Sequence, residues 1–123
     1  MSAQPGKAAQ PAPDRRRRRY PRYRSNFPVA VTLFTEAEYR RLDAHCKDLS
    51  EAGIGVLLAA ELNSGEVVSL DFCLPGLPTP WGVRGVLRHR RGYHYGFEFL
   101  SLSHEQSEIL KNHIRTLERA DQD

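Results

Sequence analysis

From Phe27 onward the chain alternates. In FPVAVTLF, Phe27, Val29, Val31 and Leu33 fall on one side, the period-two pattern of a half-buried strand. TEAEYRRLDAHCK follows. Its first half reads as a helical turn or a long loop, and RLDAHCKD alternates loosely as a second strand. DLSEAG breaks the pattern. IGVLLAAEL is an apolar run short enough for a buried strand, NSGE is a turn, and VVSLDFCL is a further strand. After the proline-rich PGLPTP loop, WGVRGVLRHR places Val83, Gly85 and Leu87 against Arg84, Val86 and Arg88. RRGY then turns the chain into HYGFEFLSL, with Tyr95, Phe97 and Phe99 on one face.

The last segment changes period. Ile109, Leu110, His113, Ile114 and Leu117 share one stripe of a helix. Ser103 stands at its N-cap position and Gln106 three residues later, which together form a capping box. Glu105 and Glu108 near its start and Arg115 and Arg119 near its end complement the helix dipole. About six short strands followed by one helix predict an all-β fold, a six-stranded antiparallel barrel with a C-terminal helix.

Upstream of the barrel the texture is different. Residues 1–14 are rich in Ala, Pro and Gln and read as a disordered leader. RRRRRYPRYR, residues 15–24, holds seven arginines. Pro21 restricts Tyr20 to extended backbone, so residues 15–26 read as an extended basic arm. The predicted organisation is leader 1–14, then one domain over 15–120, with arm 15–26, barrel 27–101 and helix 103–119.

Charge divides along the same line. Residues 1–24 carry eight basic side chains against Asp14, a net +7; residues 25–123 carry ten basic against fourteen acidic, a net −4. The positive charge is therefore a local device for gathering anions. A nucleic-acid arm, a membrane-surface tag and a pocket for a small polyanion all fit it. The longest apolar run, Val56–Ala60, is five residues, far short of a membrane span. The leader lacks the apolar region of a secretion signal, and the expected location is the cytoplasm.

Cys46 and Cys73 fit no zinc or redox spacing and read as reduced thiols packed as small hydrophobes. His89 and His94 flank the RRGY turn without the further ligands a metal needs. With no nucleophile–base pair, no metal cluster and no Gly-rich phosphate loop with a lysine, the sequence does not read as an enzyme.

Two short motifs carry the remaining chemistry: Arg18-x-x-x-Arg22 within the arm, and Asp48-x-Ser50-x-x-Gly53 between two predicted strands. Each alone is weak, since DxSxxG also describes an ordinary turn in which Asp and Ser serve nearby N–H groups. Their order, together with the strand PVAVTL, the strand IGVLLA after DxSxxG, the late YGFEF and the closing helix, resembles the PilZ domain, the bacterial receptor for cyclic di-GMP. The resemblance runs from about Asp14 to Leu117. It implies a six-stranded Greek-key barrel with the ligand held between the arm and the DxSxxG strand. Thr35–His45 departs from it as a longer connection than many members have.

The resemblance implies a cyclic di-GMP site of Arg17, Arg18, Arg22, Asp48, Ser50 and Gly53, without a metal or cofactor. Guanidinium suits both halves of that ligand, because it binds phosphate oxygens and guanine O6 and N7 through paired donors. Asp48 can accept from guanine N1–H and N2–H2, a donor pair that adenine lacks. Gly53 either supplies a turn or admits close backbone approach. An arginine at position 17 goes, in this family, with two stacked ligand molecules, so two per protomer are expected. The output would pass to a separate partner protein. The competing reading is a nucleic-acid module confined to the basic arm, marked by steep salt dependence.

Overall fold

The computed structural model describes residues 20–34 and 38–120. Six strands, β1 Tyr23–Phe34, β2 Tyr39–Leu49, β3 Gly53–Leu57, β4 Val67–Phe72, β5 Trp81–Arg91 and β6 His94–Phe99, precede a single helix, α1 His104–Ile114. The strands close into a barrel in the order β1-β2-β3-β6-β5-β4, with β4 returning to β1. Every pairing is antiparallel. Closure leaves no sheet edge unpaired, which removes the main aggregation hazard of a small β protein.

The period-two positions supply the interior. Phe27, Val29, Val31 and Leu33 of β1 meet Val68, Leu70 and Phe72 of β4 and Tyr95, Phe97 and Phe99 of β6 in one core. Tyr95 is fully buried, and its hydroxyl donates to the Ala60 carbonyl. A buried phenol needs such a partner, because an unmet hydroxyl costs about 1–3 kcal/mol. Fully burying each Val, Leu, Ile or Phe contributes about 1.5–3 kcal/mol.

Several expectations need correction. The stretch after Phe34 is neither helical turn nor long loop from Tyr39 onward: β2 begins there and pairs with β1 as a long hairpin, Phe34 opposite Tyr39. Residues 39–45 of the Thr35–His45 stretch are therefore strand. Tyr39, Arg40 and Arg41 are all exposed, so no inward-facing residue advertised the strand. IGVLLAAEL is strand only through Leu57. Leu58 and Leu62 enter the core from the irregular segment that follows, which is why the run is apolar without being extended. Strand β1 starts at Tyr23, four residues before the alternation becomes visible. Cys46 is buried, but Cys73 is exposed and packs as no hydrophobe.

The helix is capped by Ser103 and Gln106 in a reciprocal capping box, and it adds Leu110 and Ile114 to the core. It stops at Ile114, short of the expected 119. The chain beyond it has a task of its own. Ala120 N–H donates to the Arg22 carbonyl at 2.9 Å, and Arg24 N–H donates to the Glu118 carbonyl at 2.8 Å. Arg119 lies over the Tyr23 ring, 5.9 Å from its centroid. The base of the basic arm is thus clamped by the residues after the helix.

Candidate functional site: a row across four strands

The geometry begins with two glycines. Register places Asp48 of β2 opposite Gly55 of β3, Gly55 opposite Gly96 of β6, and Gly96 opposite His89 of β5. Asp48, Gly55, Gly96 and His89 therefore form one row across the outside of the barrel. Its two middle positions carry no side chain, and its ends lean inward over them. A Cβ on Gly55 would lie 2.6 Å from an Asp48 carboxylate oxygen, and one on Gly96 would lie 2.2 Å from His89 Nε2. Each glycine is the floor on which its neighbour rests.

Arg22 lies across this row. Its Nη1 donates to Asp48 Oδ1 at 3.0 Å, and its Nη2 sits 2.8 Å from His89 Nε2. His94, from the same outer face of β6 as Gly96, places Nε2 3.1 Å from Asp48 Oδ2. Both carboxylate oxygens are thus engaged. Burial by itself pushes the Asp48 carboxyl up, but the His94 bond and the Arg22 charge more than reverse this. They hold it below the ordinary carboxylate range. The Cys46 thiol beneath is pushed up by burial and by the Asp48 charge, so it stays protonated.

A carboxyl held low in the fold contributes stability that is complete above its unfolded value, about 3.9. That contribution is lost as pH falls through the lowered folded value. Asp48→Asn should therefore cost about 1–3 kcal/mol at pH 7, and the gap should narrow as pH falls below the unfolded value of about 3.9. Urea unfolding of both proteins at pH 7 and pH 2.5 measures this, and an equal gap at both would exclude the carboxylate charge as its source.

Ser50 and Gly53 shape the neighbouring turn. Ser50 Oγ accepts from Ala52 N–H and Gly53 N–H, both at 3.1 Å, and Ser50 N–H donates to the Gly53 carbonyl at 2.9 Å. Among the described glycines only Gly65, Gly76 and Gly92 have positive φ. Gly53 therefore serves close approach: a Cβ there would lie 2.3 Å from the Phe97 carbonyl oxygen of β6.

These elements enclose an open cleft of about 310 Å³. Arg22, Ser50 and Gly53 line it together with Tyr20, His89 and the cross-strand pair Arg88–Glu98, joined at 2.6 Å. Asp48 lines a second cleft, of about 680 Å³, with His94, Arg24 and Lys47. So Arg22, Ser50 and Gly53, taken from two separate motifs, line one cleft. Asp48 touches the site through Arg22, with its carboxylate turned to Arg22 and His94. Arg17 and Arg18 lie outside the described residues. Of the two arm tyrosines, Tyr23 pins the arm and Tyr20 faces the cleft.

The motifs missed His89, His94, Gly55 and Gly96. The signal for them was glycine within strands, which marks close approach of something to the backbone. The histidine pair was visible only as an unlikely metal site. In the fold the two rings stack with centroids 6.4 Å apart, and both serve the Arg22–Asp48 pair.

Comparison with known proteins agrees with this architecture. The family model described as the PilZ domain matches residues 16–116. The motility inhibitor MotI of Bacillus subtilis superposes with a TM-score of 0.66 at 20% identity, over 81% of this chain and 50% of its own. The PilZ domain of Escherichia coli YcgR, solved with cyclic di-GMP, superposes with a TM-score of 0.61 at 23% identity, over 82% of this chain and 91% of its own. Whole YcgR, also in complex with cyclic di-GMP, gives 0.62 at 25% identity, over 81% of this chain and 45% of its own. The chain thus spans about half the length of MotI and of whole YcgR. No curated protein matches it. No helix among the described residues is long and apolar enough to cross a membrane.

Proposed function

Because the chain belongs to the PilZ domain family, we propose that it is a non-catalytic receptor for cyclic di-GMP. The dinucleotide binds in the 310 Å³ cleft, between the arm and the Ser50–Gly53 turn. The observation that carries this reading is the placement of Arg22. A guanidinium held by the barrel at the wall of a cleft lined by Ser50 and Gly53 is positioned for a phosphate or a guanine edge. Arg17 and Arg18 add the further guanidinium groups, and binding orders residues 15–19 against the barrel. Asp48 serves first by aiming Arg22. Reading the guanine N1–H and N2–H2 requires it to share an oxygen now engaged by Arg22 or His94. The ordered arm then presents a changed surface to a separate partner protein.

Calorimetric titration with cyclic di-GMP tests this, with GTP and cyclic di-AMP as controls. Saturable binding of two equivalents is expected, with cyclic di-AMP weaker by roughly ten- to a hundredfold, the worth of one bidentate base contact. Excess linear RNA at physiological salt should leave that binding intact. Equal affinity for the two cyclic dinucleotides would defeat the guanine reading. A single equivalent would remove Arg17 as the residue that admits a second ligand.

A further inference from the structure

His89 lies in neither sequence motif, yet it holds one end of the Arg22 guanidinium. The contact is 2.8 Å, between Arg22 Nη2 and His89 Nε2. Guanidinium is a donor only and stays charged throughout the accessible pH range. Nε2 must therefore offer a lone pair, which the imidazole has only when neutral. His94 is in the opposite position. An ionised carboxylate is an acceptor only, so His94 Nε2 donates to Asp48, and it can do so whether or not the ring carries a charge.

Sequence position explains why this contact exists. The β5–β6 register shifts between Leu87 and His89, which sets His89 opposite Gly96. The ring occupies the space that a side chain at 96 would fill. Its nitrogen then faces Arg22, which Ala120 anchors through the main chain.

We propose that neutral His89 is a positioning residue that holds Arg22 in the ligand cleft, so that nucleotide binding weakens when His89 takes up a proton. The proposal rests on the reading of Arg22 as a ligand contact. Among the described residues, the titratable and charged groups around the ring include Arg22 from the arm, Asp48 from β2, Arg88 from its own strand, and His94 and Glu98 from β6, with Tyr20 across the cleft. The two carboxylates are already engaged, Asp48 by Arg22 and His94, Glu98 by Arg88. A proton on His89 removes the acceptor and sets an imidazolium against a guanidinium at hydrogen-bond distance. Its added charge would also attract a ligand phosphate in the cleft that His89 lines, so the sign of the pH dependence decides whether losing the Arg22 contact outweighs that attraction. Imidazole ordinarily charges between about pH 5 and 8, and the Arg22 guanidinium at hydrogen-bond distance disfavours the charged ring, so the effect falls toward the acid side of that window.

The test is titration of the full chain with cyclic di-GMP at pH 8 and pH 5.5. Wild type should bind more weakly at pH 5.5, approaching a roughly tenfold loss as the ring becomes fully charged, the effect of losing one hydrogen bond to a charged group. His89→Ala should bind weakly at both values. His89→Gln keeps an acceptor oxygen that does not titrate, so it should rescue the affinity lost in His89→Ala and flatten the pH profile. His94→Gln should keep the slope. Tighter binding at pH 5.5, or an unchanged slope in His89→Gln, overturns the proposal. NMR titration of the imidazoles in the ligand-free chain gives a second readout: the His89 midpoint should rise in Arg22→Ala, and an unmoved midpoint also overturns it. If cyclic di-GMP binds at no pH, the dinucleotide reading fails instead, and the imidazole titration alone decides the Arg22–His89 contact.

Discussion

Arg22→Ala is expected to bind cyclic di-GMP at least about a hundredfold more weakly than the parent chain. Hydrogen bonds to charged groups are worth about 1.5–3 kcal/mol each, and 1.4 kcal/mol is tenfold in affinity. A guanidinium that grips phosphate or a guanine edge does so through paired bonds, so losing it removes two at once. The variant also frees Asp48 Oδ1 and the Nε2 of His89 from their shared partner, so the neighbouring walls lose their fixed positions. Stability should fall far less than binding. Arg22 is about one-fifth exposed and Asp48 about one-eighth, and His94 still serves the carboxylate. Its main-chain bond to Ala120 does not depend on the side chain. Calorimetry for binding and thermal unfolding for stability separate the two effects. Affinity within a few-fold of the parent would remove the proposed mechanism.

Gly53→Ala should act in the opposite order, on the fold first. The added Cβ would lie 2.3 Å from the Phe97 carbonyl oxygen and 3.3 Å from the Glu98 Cα. Both are backbone atoms of β6 at the end of its pairing with β3 where Gly53 begins the strand, and neither can swing aside as a side chain can. Overpacking of this kind costs about 1–3 kcal/mol. For a domain of this size the melting temperature should fall by roughly 4–15 °C. The same shift would open the Ser50–Gly53 turn and weaken the ligand with it. Gly96→Ala supplies the contrast, because its Cβ meets the His89 ring, which can rotate away. It should melt close to wild type while binding more weakly. If Gly53→Ala melts like the parent chain, the close approach of β3 and β6 is not what selects glycine there.

Much of the fold was legible because burial leaves a periodic trace. Phe27, Val29, Val31 and Leu33, and Tyr95, Phe97 and Phe99, alternate in the sequence and all enter the barrel core, although Ala30 and Thr32 between the former are buried as well. Ser103 and Gln106 announce a helix start that the structure has. Where burial is not periodic, the trace fails. Tyr39–Arg41 are strand residues with every side chain exposed, and Leu58 and Leu62 are core residues outside any strand. The arm residues Tyr23 to Asn26 hold no apolar run by which a strand could be recognised; Tyr23 and Arg24 pair with Leu49 and Asp48 of β2, and Arg22 and Arg24 are held by Ala120 and Glu118 from the far end of the chain.

The site divides in the same way. Local chemistry determined what the sequence could show: a concentration of guanidinium in the arm, and a Ser50–Gly53 turn whose hydroxyl and N–H groups satisfy one another within three residues. Tertiary structure alone decided which arginine is held and by what. Asp48, Gly55, Gly96 and His89 become neighbours only because barrel closure sets β2, β3, β6 and β5 side by side. Register shifts in the β2–β3 and β5–β6 pairs then bring the four into one row. A register is a property of two strands together, and it leaves no mark on either one read by itself. The sequence thus determined that a cationic arm meets a polar turn on a β-barrel. Only the closed barrel decided that Arg22 is held between a carboxylate and a histidine, each of which rests on a glycine.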